Sequence, residues 1–453
     1  MHPLRRLLAF VAPYRRAAAL SLLCLSALVL FDLALPRLIE RVIDEGIARR
    51  DTAALARTAA LMLASSALSA LFALANNALS VRVGEGFARD LRASLFLAVQ
   101  RWSYGDLDRL RTGELLVRLT SDVGALKMLV QVSLRIGTRA PLLMVGSVAL
   151  MFRTAPPLAL AMLPLLAVTA LLMAAFVARM DPLFRAVQER LDGLNTALQE
   201  SIAGMRVVRA FVREVHEARR FEDANDALTA RTTRVTAVAS VMTPALTLCV
   251  NLGMVLVVAA GGGQALRGEL TLGQVVAFSN YLVTTMQPLL LMTMLASTWA
   301  AGMASARRVI AVLDVRPEVQ DAPDALALPD DAPPRVRFDD VDFAWKGEGN
   351  HPAVQGVSLA LDAGQTVALL GPTGAGKSTL ANLLPRFYDV TAGSVSVGGH
   401  DVRALTQASL RAALGIAPQE PTLFAGTLRD NIRYARPDAP PDAVEAAARI
   451  ADA

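Results

Sequence analysis

The residues best suited to chemistry are Gly371-Pro372-Thr373-Gly374-Ala375-Gly376-Lys377-Ser378-Thr379, a full match to the phosphate-gripping pattern G-x-x-x-x-G-K-[ST]. Glycines at these positions let the backbone close around phosphate oxygens. The exposed N–H groups and the helix that starts behind them supply positive potential. Lys377 is expected to meet the β- and γ-phosphates and Ser378 to ligate Mg²⁺. Such a loop needs a strand leading in and a helix leading out. The apolar run Thr366–Leu370 reads as the strand, and Ser378 to Leu384 reads as the first turns of the helix.

The loop has to be held by a soluble α/β domain, yet most of the chain is of another kind. It has 453 residues, of which 54% are hydrophobic and 19% charged, and its mean hydropathy is +0.43. Those values point to a membrane sector. A span takes about 20 mostly apolar residues, and six segments qualify: 17–36, 54–80, 129–152, 157–179, 241–262 and 272–296. The basic amino terminus before the first of these resembles a signal peptide. The run Ala17–Leu35 is nevertheless long enough to span and lacks a small-residue cleavage pattern, so an uncleaved first helix is expected.

Orientation follows from charge. The long links 81–128 and 180–240 are rich in arginine, and the positive-inside rule places them, and with them both termini, in the cytoplasm of a multi-pass cell-membrane protein. The first outer link carries Arg37, Arg41, Arg49 and Arg50 against that rule, interspersed with Glu40, Asp44, Glu45 and Asp51. Leu191, Leu194, Leu198, Ile202 and Met205 recur at helical steps, so the spans are expected to run on as helices beyond the membrane. The net charge of +5 is loop charge facing an anionic leaflet of membrane lipid. With no basic patch interleaved with aromatics, no nucleic-acid partner is expected.

Side-chain metal sites and disulfides find no support. Cys24 and Cys249 lie in apolar runs, and His2, His216, His351 and His400 are scattered. Polar residues within spans are site candidates by default, here Asp32, Asn76, Asn77 and Asn251, although asparagines commonly tie neighbouring helices. After Val315 the prolines at 317, 323, 329, 333 and 334 read as a linker. The expected domains are a transmembrane domain at 1–313, the linker at 314–334 and a nucleotide domain at 335–453. Its β-rich runs are Val336–Phe338, Val357–Leu361, Thr366–Leu370 and Ser394–Val397.

Further strings make the chain resemble an ABC exporter half-transporter. Arg335-Val-Arg-Phe-Asp-Asp-Val-Asp-Phe-Ala-Trp345 is similar to the opening strand of that family's cassette. Gly415-Ile-Ala-Pro418-Gln419-Glu-Pro-Thr-Leu423-Phe424 with Gly426 to Ile432 resembles its Q-loop region. Arg111 to Val123 and Glu200 to Glu214 resemble the segments around the short coupling helices that dock on the cassette. The resemblance implies a six-helix transmembrane domain of exporter type followed by an incomplete α/β P-loop nucleotide-binding domain. Trp345 would stack on adenine and Gln419 would sense Mg²⁺ and the γ-phosphate, so ATP and Mg²⁺ are the implied cofactors.

The implied partner is a second half-transporter, in a homo- or heterodimer, and the cargo is an unidentified small or lipophilic substrate. The family's signature motif, Walker B acids, catalytic glutamate and switch histidine fall beyond Ala453. The 453-residue chain is therefore expected to be a truncated form that binds ATP without hydrolysing it alone. The rival reading is a catalytically inert, membrane-anchored nucleotide-binding regulator or degenerate partner, and the reading frame after Ala453 separates the two. A soluble NTPase merely tethered by the spans is disfavoured by the two long coupling-type links.

Overall fold

A backbone that crosses hydrocarbon must satisfy its own N–H and C=O groups, so apolar runs of this length are expected to become unbroken helices. The computed structural model describes residues 3–110, 112–345, 352–419 and 421–452. His2, Arg111, His351 and Glu420 fall outside the described residues, as do the side chains of 3–5, 287, 289–294 and 296. The chain divides into two compact units, residues 1–100 with 111–315, and residues 101–110 with 316–453.

The first unit is helical. It comprises α1 (Pro3–Val11), α2 (Arg15–Arg41) and α3 (Thr52–Gln100). After α4 (Tyr104–Asp108), which belongs to the second unit, come α5 (Thr112–Val117), α6 (Val123–Val132), α7 (Thr138–Thr154) and α8 (Pro156–Ala203). Then follow α9 (Met205–Ala210), α10 (Glu214–Ser240), α11 (Met242–Leu256), α12 (Gly262–Leu266) and α13 (Leu272–Leu313). Among the described residues, five continuous helical runs are long and apolar enough to cross a membrane: Arg6–Ile47, Thr52–Gln100, Thr112–Thr154, Pro156–Ala203 and Glu214–Leu266. They take in the first five expected segments, and α13 takes in the sixth. At 48 residues α8 is about 70 Å long, more than twice a hydrocarbon core. The helical periodicity at Leu191–Ile202 thus continues its span without a break.

Polar side chains tie these helices. Asn76 on α3 is buried, and its Nδ2 donates to the Ser21 carbonyl and Oγ on α2 at 2.8 and 2.9 Å and to the Leu134 carbonyl at 3.3 Å. That is helix-to-helix bonding of the kind asparagine commonly provides in spans. Close packing does the rest: a Cβ at Gly253 would stand 2.7 Å from both Leu165 and Leu282, and the main apolar cluster runs through Leu158, Met162, Val257, Phe278 and Tyr281.

Asp122 ends a widened π-type turn, Arg118–Asp122, inside one of the coupling-type strings. It is 3% exposed. Ser305 Oγ donates to its Oδ1 at 2.9 Å, and Arg308 donates Nε to its Oδ2 at 2.9 Å and Nη2 to its Oδ1 at 2.5 Å. A two-donor guanidinium clamp on a carboxylate fixes orientation as well as distance.

The second unit is built on a sheet of four described strands, β1 (Val336–Ala344), β2 (Pro352–Leu361), β3 (Ala392–Val397) and β4 (His400–Asp401), in the order β2-β1-β3-β4 and antiparallel throughout. Phe338 pairs with Leu359 on one side and Val395 on the other. Helix α14 (Lys377–Leu383) packs Leu380 and Leu383 onto Phe338, Val341, Val354 and Val395. Among the described residues α15 (Gln407–Ala412), α16 (Leu428–Ile432) and α17 (Pro441–Ile450) follow in the chain.

One expected strand does not form. Residues 366–370 are irregular, with Leu370 91% exposed. A strand persists only beside a neighbour that bonds its backbone, and among the described residues none pairs with this run. The proline-rich segment before β1 is irregular as expected but is strapped down: Leu326 N donates to Ala404 O at 2.9 Å and Thr406 N to Leu326 O at 2.8 Å.

Replacing Asp122 with alanine leaves Arg308 and Ser305 without their acceptor. Because Arg308 is about half exposed, the expected loss is toward the lower end for a broken buried pair, about 1–3 kcal/mol. Thermal unfolding in detergent, followed by tryptophan fluorescence, should show a clearly lower midpoint for Asp122→Ala and a smaller change for Ser305→Ala.

Candidate functional site

The phosphate loop has the backbone its glycines predict. Gly374 and Gly376 take φ of +85° and +80°, a region that side-chain-bearing residues rarely adopt. They differ in surroundings. A Cβ at Gly376 would lie 2.4 Å from the Ala353 carbonyl oxygen at the start of β2, whereas one at Gly374 would meet nothing within 4 Å. Ala375 N donates to Pro372 O at 3.2 Å and Leu380 N to Gly376 O at 2.8 Å, closing the turn and opening α14.

Lys377 folds back over the loop, its Nζ donating to Gly371 O at 2.9 Å and Pro372 O at 2.8 Å. The ammonium therefore stands across the loop mouth. Ser378 is exposed on the first turn of α14, while Thr379, Leu380 and Leu383 are buried beneath it. A glycine-lined turn, a lysine poised over it and an open face fit a phosphate chain and its bound cation.

Trp345 follows directly on β1. Its predecessor Ala344 pairs with Pro352, the neighbour of Ala353, so Trp345 stands at the end of the hairpin that backs Gly376. It is 42% exposed and packs edge-on against Phe343 and Tyr388, with centroids 5.1 and 4.9 Å apart. A partly exposed, propped ring leaves a face open to stacking.

The prop is a feature the sequence reading missed. Tyr388 OH donates to Asp108 Oδ2 on α4 at 2.7 Å, and Tyr104 stacks on Phe387 at 4.1 Å. Burial and then the bond to Asp108 hold the Tyr388 phenol well above its usual range, so it stays a donor. Helix α4 is itself fixed by a capping box between Ser103 and Asp106. Glu318 N donates to Asp106 Oδ2 at 3.2 Å, and Arg109 pairs with Glu318. A cavity of about 320 Å³ lies among these groups, bordered by Trp345, Tyr388, Asp108 and Thr391. Adjacent aromatics after Pro385, in a chain only 5% aromatic, were the available signal.

Gln419 lies on an exposed irregular stretch after α15, and among the described residues it makes no hydrogen bond to the loop. Behind it Asn431 brackets Phe424, accepting from Phe424 N at 2.7 Å and donating to its carbonyl at 2.9 Å. Phe424 stacks flat on Tyr434 at 4.6 Å. The Thr427 hydroxyl and Arg433 pull Asp430 down to about 2, keeping the cap of α16 ionised.

Comparison with known proteins adds to this geometry. The family description "ABC transporter transmembrane region" matches residues 19–289, and "ABC transporter" matches residues 354–453. An uncharacterised ABC transporter ATP-binding protein of Mycobacterium tuberculosis is 34% identical over 94% of this chain and 73% of its own length. A multidrug efflux ATP-binding/permease protein of Mycobacterium bovis is 33% identical over 98% of this chain, which spans 37% of that relative. Among solved structures, a bacterial Atm1-family ABC exporter with ATP bound is similar with a TM-score of 0.76 and 27% identity, over 97% of this chain and 77% of that one.

The two loop glycines separate strain from collision. Gly374→Ala meets only the unfavourable φ, about 1–2 kcal/mol, whereas Gly376→Ala adds a clash with the Ala353 carbonyl. Titration with a fluorescent ATP analogue should find Gly374→Ala weakened modestly and Gly376→Ala by more than tenfold.

Proposed function

This chain belongs to the ABC transporter family, and from that premise we propose that it is the membrane-spanning and nucleotide-gripping part of an export half-transporter. Its functional domains are then a transmembrane domain at 1–313, a linker at 314–334 and a cassette segment at 335–453, driven by ATP and working with a second half-transporter, a further copy or a related chain. The observation that carries the reading is α4. The chain leaves the membrane unit at Gln100, places α4 in the cassette unit and returns at Arg111. A change in the cassette is thus delivered covalently to α3 and α5.

In this reading the loop N–H groups and Lys377 bind the β- and γ-phosphates. Trp345, propped by Tyr388, stacks on adenine, and Ser378 with Gln419 holds Mg²⁺. The cation, when bound, neutralises phosphate charge. Tyr388 connects the base-stacking ring to Asp108 on α4 through one ring contact and one hydrogen bond. Base binding can therefore bias the position of α4, the kind of differential contact that coupling requires. The long basic links 81–128 and 180–240 and both termini lie in the cytoplasm, where the ATP is. The efflux relative supports a small or lipophilic cargo.

Two measurements test the reading. Lys377→Ala removes a charge-assisted contact to phosphate and should weaken ATP binding by at least tenfold in nanodiscs; unchanged affinity would remove the site. For orientation, Val215→Cys, at an exposed position on α10, is made with Cys24 and Cys249 replaced by alanine. A membrane-impermeant maleimide should label it in inverted vesicles and spare it in intact cells. Labelling in intact cells would reverse the topology.

A further inference from the structure

A charge within a membrane span is costly unless it is paired or reaches water, and it marks function more often than packing. Asp32 on α2 and Arg139 on α7 meet there, with Arg139 Nη2 donating to Asp32 Oδ2 at 2.8 Å. Ser69 on α3 donates to Asp32 Oδ1 at 2.8 Å. Both carboxylate oxygens thus have donors.

The guanidinium is in the opposite condition. It carries five N–H donors, and among the described residues its one hydrogen bond is that to Asp32. It is also the more open partner, with 44% of its side chain exposed against 26% for Asp32. A purely structural tie would be enclosed, as Asn76 is at 4% exposure.

The pair opens on space. One cavity of about 410 Å³ is bordered by Asp32 and Arg139 together with Leu35, Leu143, Val283 and Thr284, the last two from α13. A second, of about 280 Å³, shares Asp32 and Arg139 and extends toward Ser69. An apolar cavity of a few hundred Å³ with a small set of converging polar groups is the usual form of a small-molecule site.

We propose that Arg139 is the headgroup contact of a cargo subsite that takes a single-chain amphiphile with a carboxylate or phosphate head. The acceptor-rich head meets the open donors of Arg139, Asp32 holds the guanidinium in place from behind, and the apolar body lies along Leu35, Leu143 and Val283. The proposal rests on the exporter reading, of which it names the substrate class.

The test is calorimetric titration of the full chain in phosphatidylcholine nanodiscs, with empty discs subtracted. The probes are dodecanoate, dodecyl phosphate, dodecanol and dodecyltrimethylammonium. The two anionic probes should bind saturably and at least tenfold more tightly than the alcohol or the ammonium. Arg139→Gln should abolish that preference and Arg139→Lys restore it in part. Asp32→Asn keeps an amide oxygen to hold the guanidinium but removes the rival negative charge, and should bind dodecanoate as tightly as the wild type or more so.

Equal binding of anionic and cationic probes by the wild type would overturn the proposal, with no variant needed. So would an Arg139→Gln protein that keeps the preference, or an Asp32→Asn protein weakened as much as Arg139→Gln, the outcome of a structural tie. ATP affinity is measured on the same discs. Its loss would count against the nucleotide reading, whereas lost headgroup selectivity with intact ATP binding would count against this subsite alone.

Discussion

Backbone amides have no water to bond in hydrocarbon, and the first unit is the consequence of that constraint. Each apolar run has to remain helical until it is clear of the membrane. In this chain the helices then simply continue, so that α3 and α8 each exceed the length a bilayer requires. Uninterrupted helices are also stiff elements. A displacement at one end of such a rod is carried to the other.

Apolar contact alone does little to hold helices together in lipid, because the tails are as apolar as the side chains. The specific positions of these helices therefore depend on a few directional contacts and close approaches. Asn76 bridges to α2 and to the Leu134 carbonyl, Asp122 is clamped by Arg308 and Ser305, and Gly253 lets Leu165 and Leu282 close in. Asp32 belongs to the same class by its bond to Ser69 but differs in facing a cavity.

In the second unit one carbonyl has a comparable role. The Ala353 oxygen stands where any side chain at 376 would be, so β2, the phosphate loop and the start of α14 are locked in one arrangement. The same hairpin carries Trp345 at its end, and Tyr388 links that ring to α4. The glycine-rich loop, the Trp345 ring and the helix inserted between α3 and α5 therefore share one small framework.

The sequence by itself determined whatever depends on local chemistry. Gly374, Gly376 and Lys377 are legible because a phosphate loop is a contiguous stretch whose residue types follow from backbone conformation and charge. The spans are legible because hydropathy is summed along the chain. Other features required partners distant in sequence. Residues 366–370 have the side chains of a strand but, among the described residues, no neighbour to bond them. Tyr388 looked like any aromatic until folding put Asp108 beside it, and Arg139, inside the expected span 129–152, was not singled out until α7 brought it to Asp32. Only tertiary structure decides such roles, because a hydrogen bond or ion pair is defined by distance and direction in space, and residue type alone carries neither.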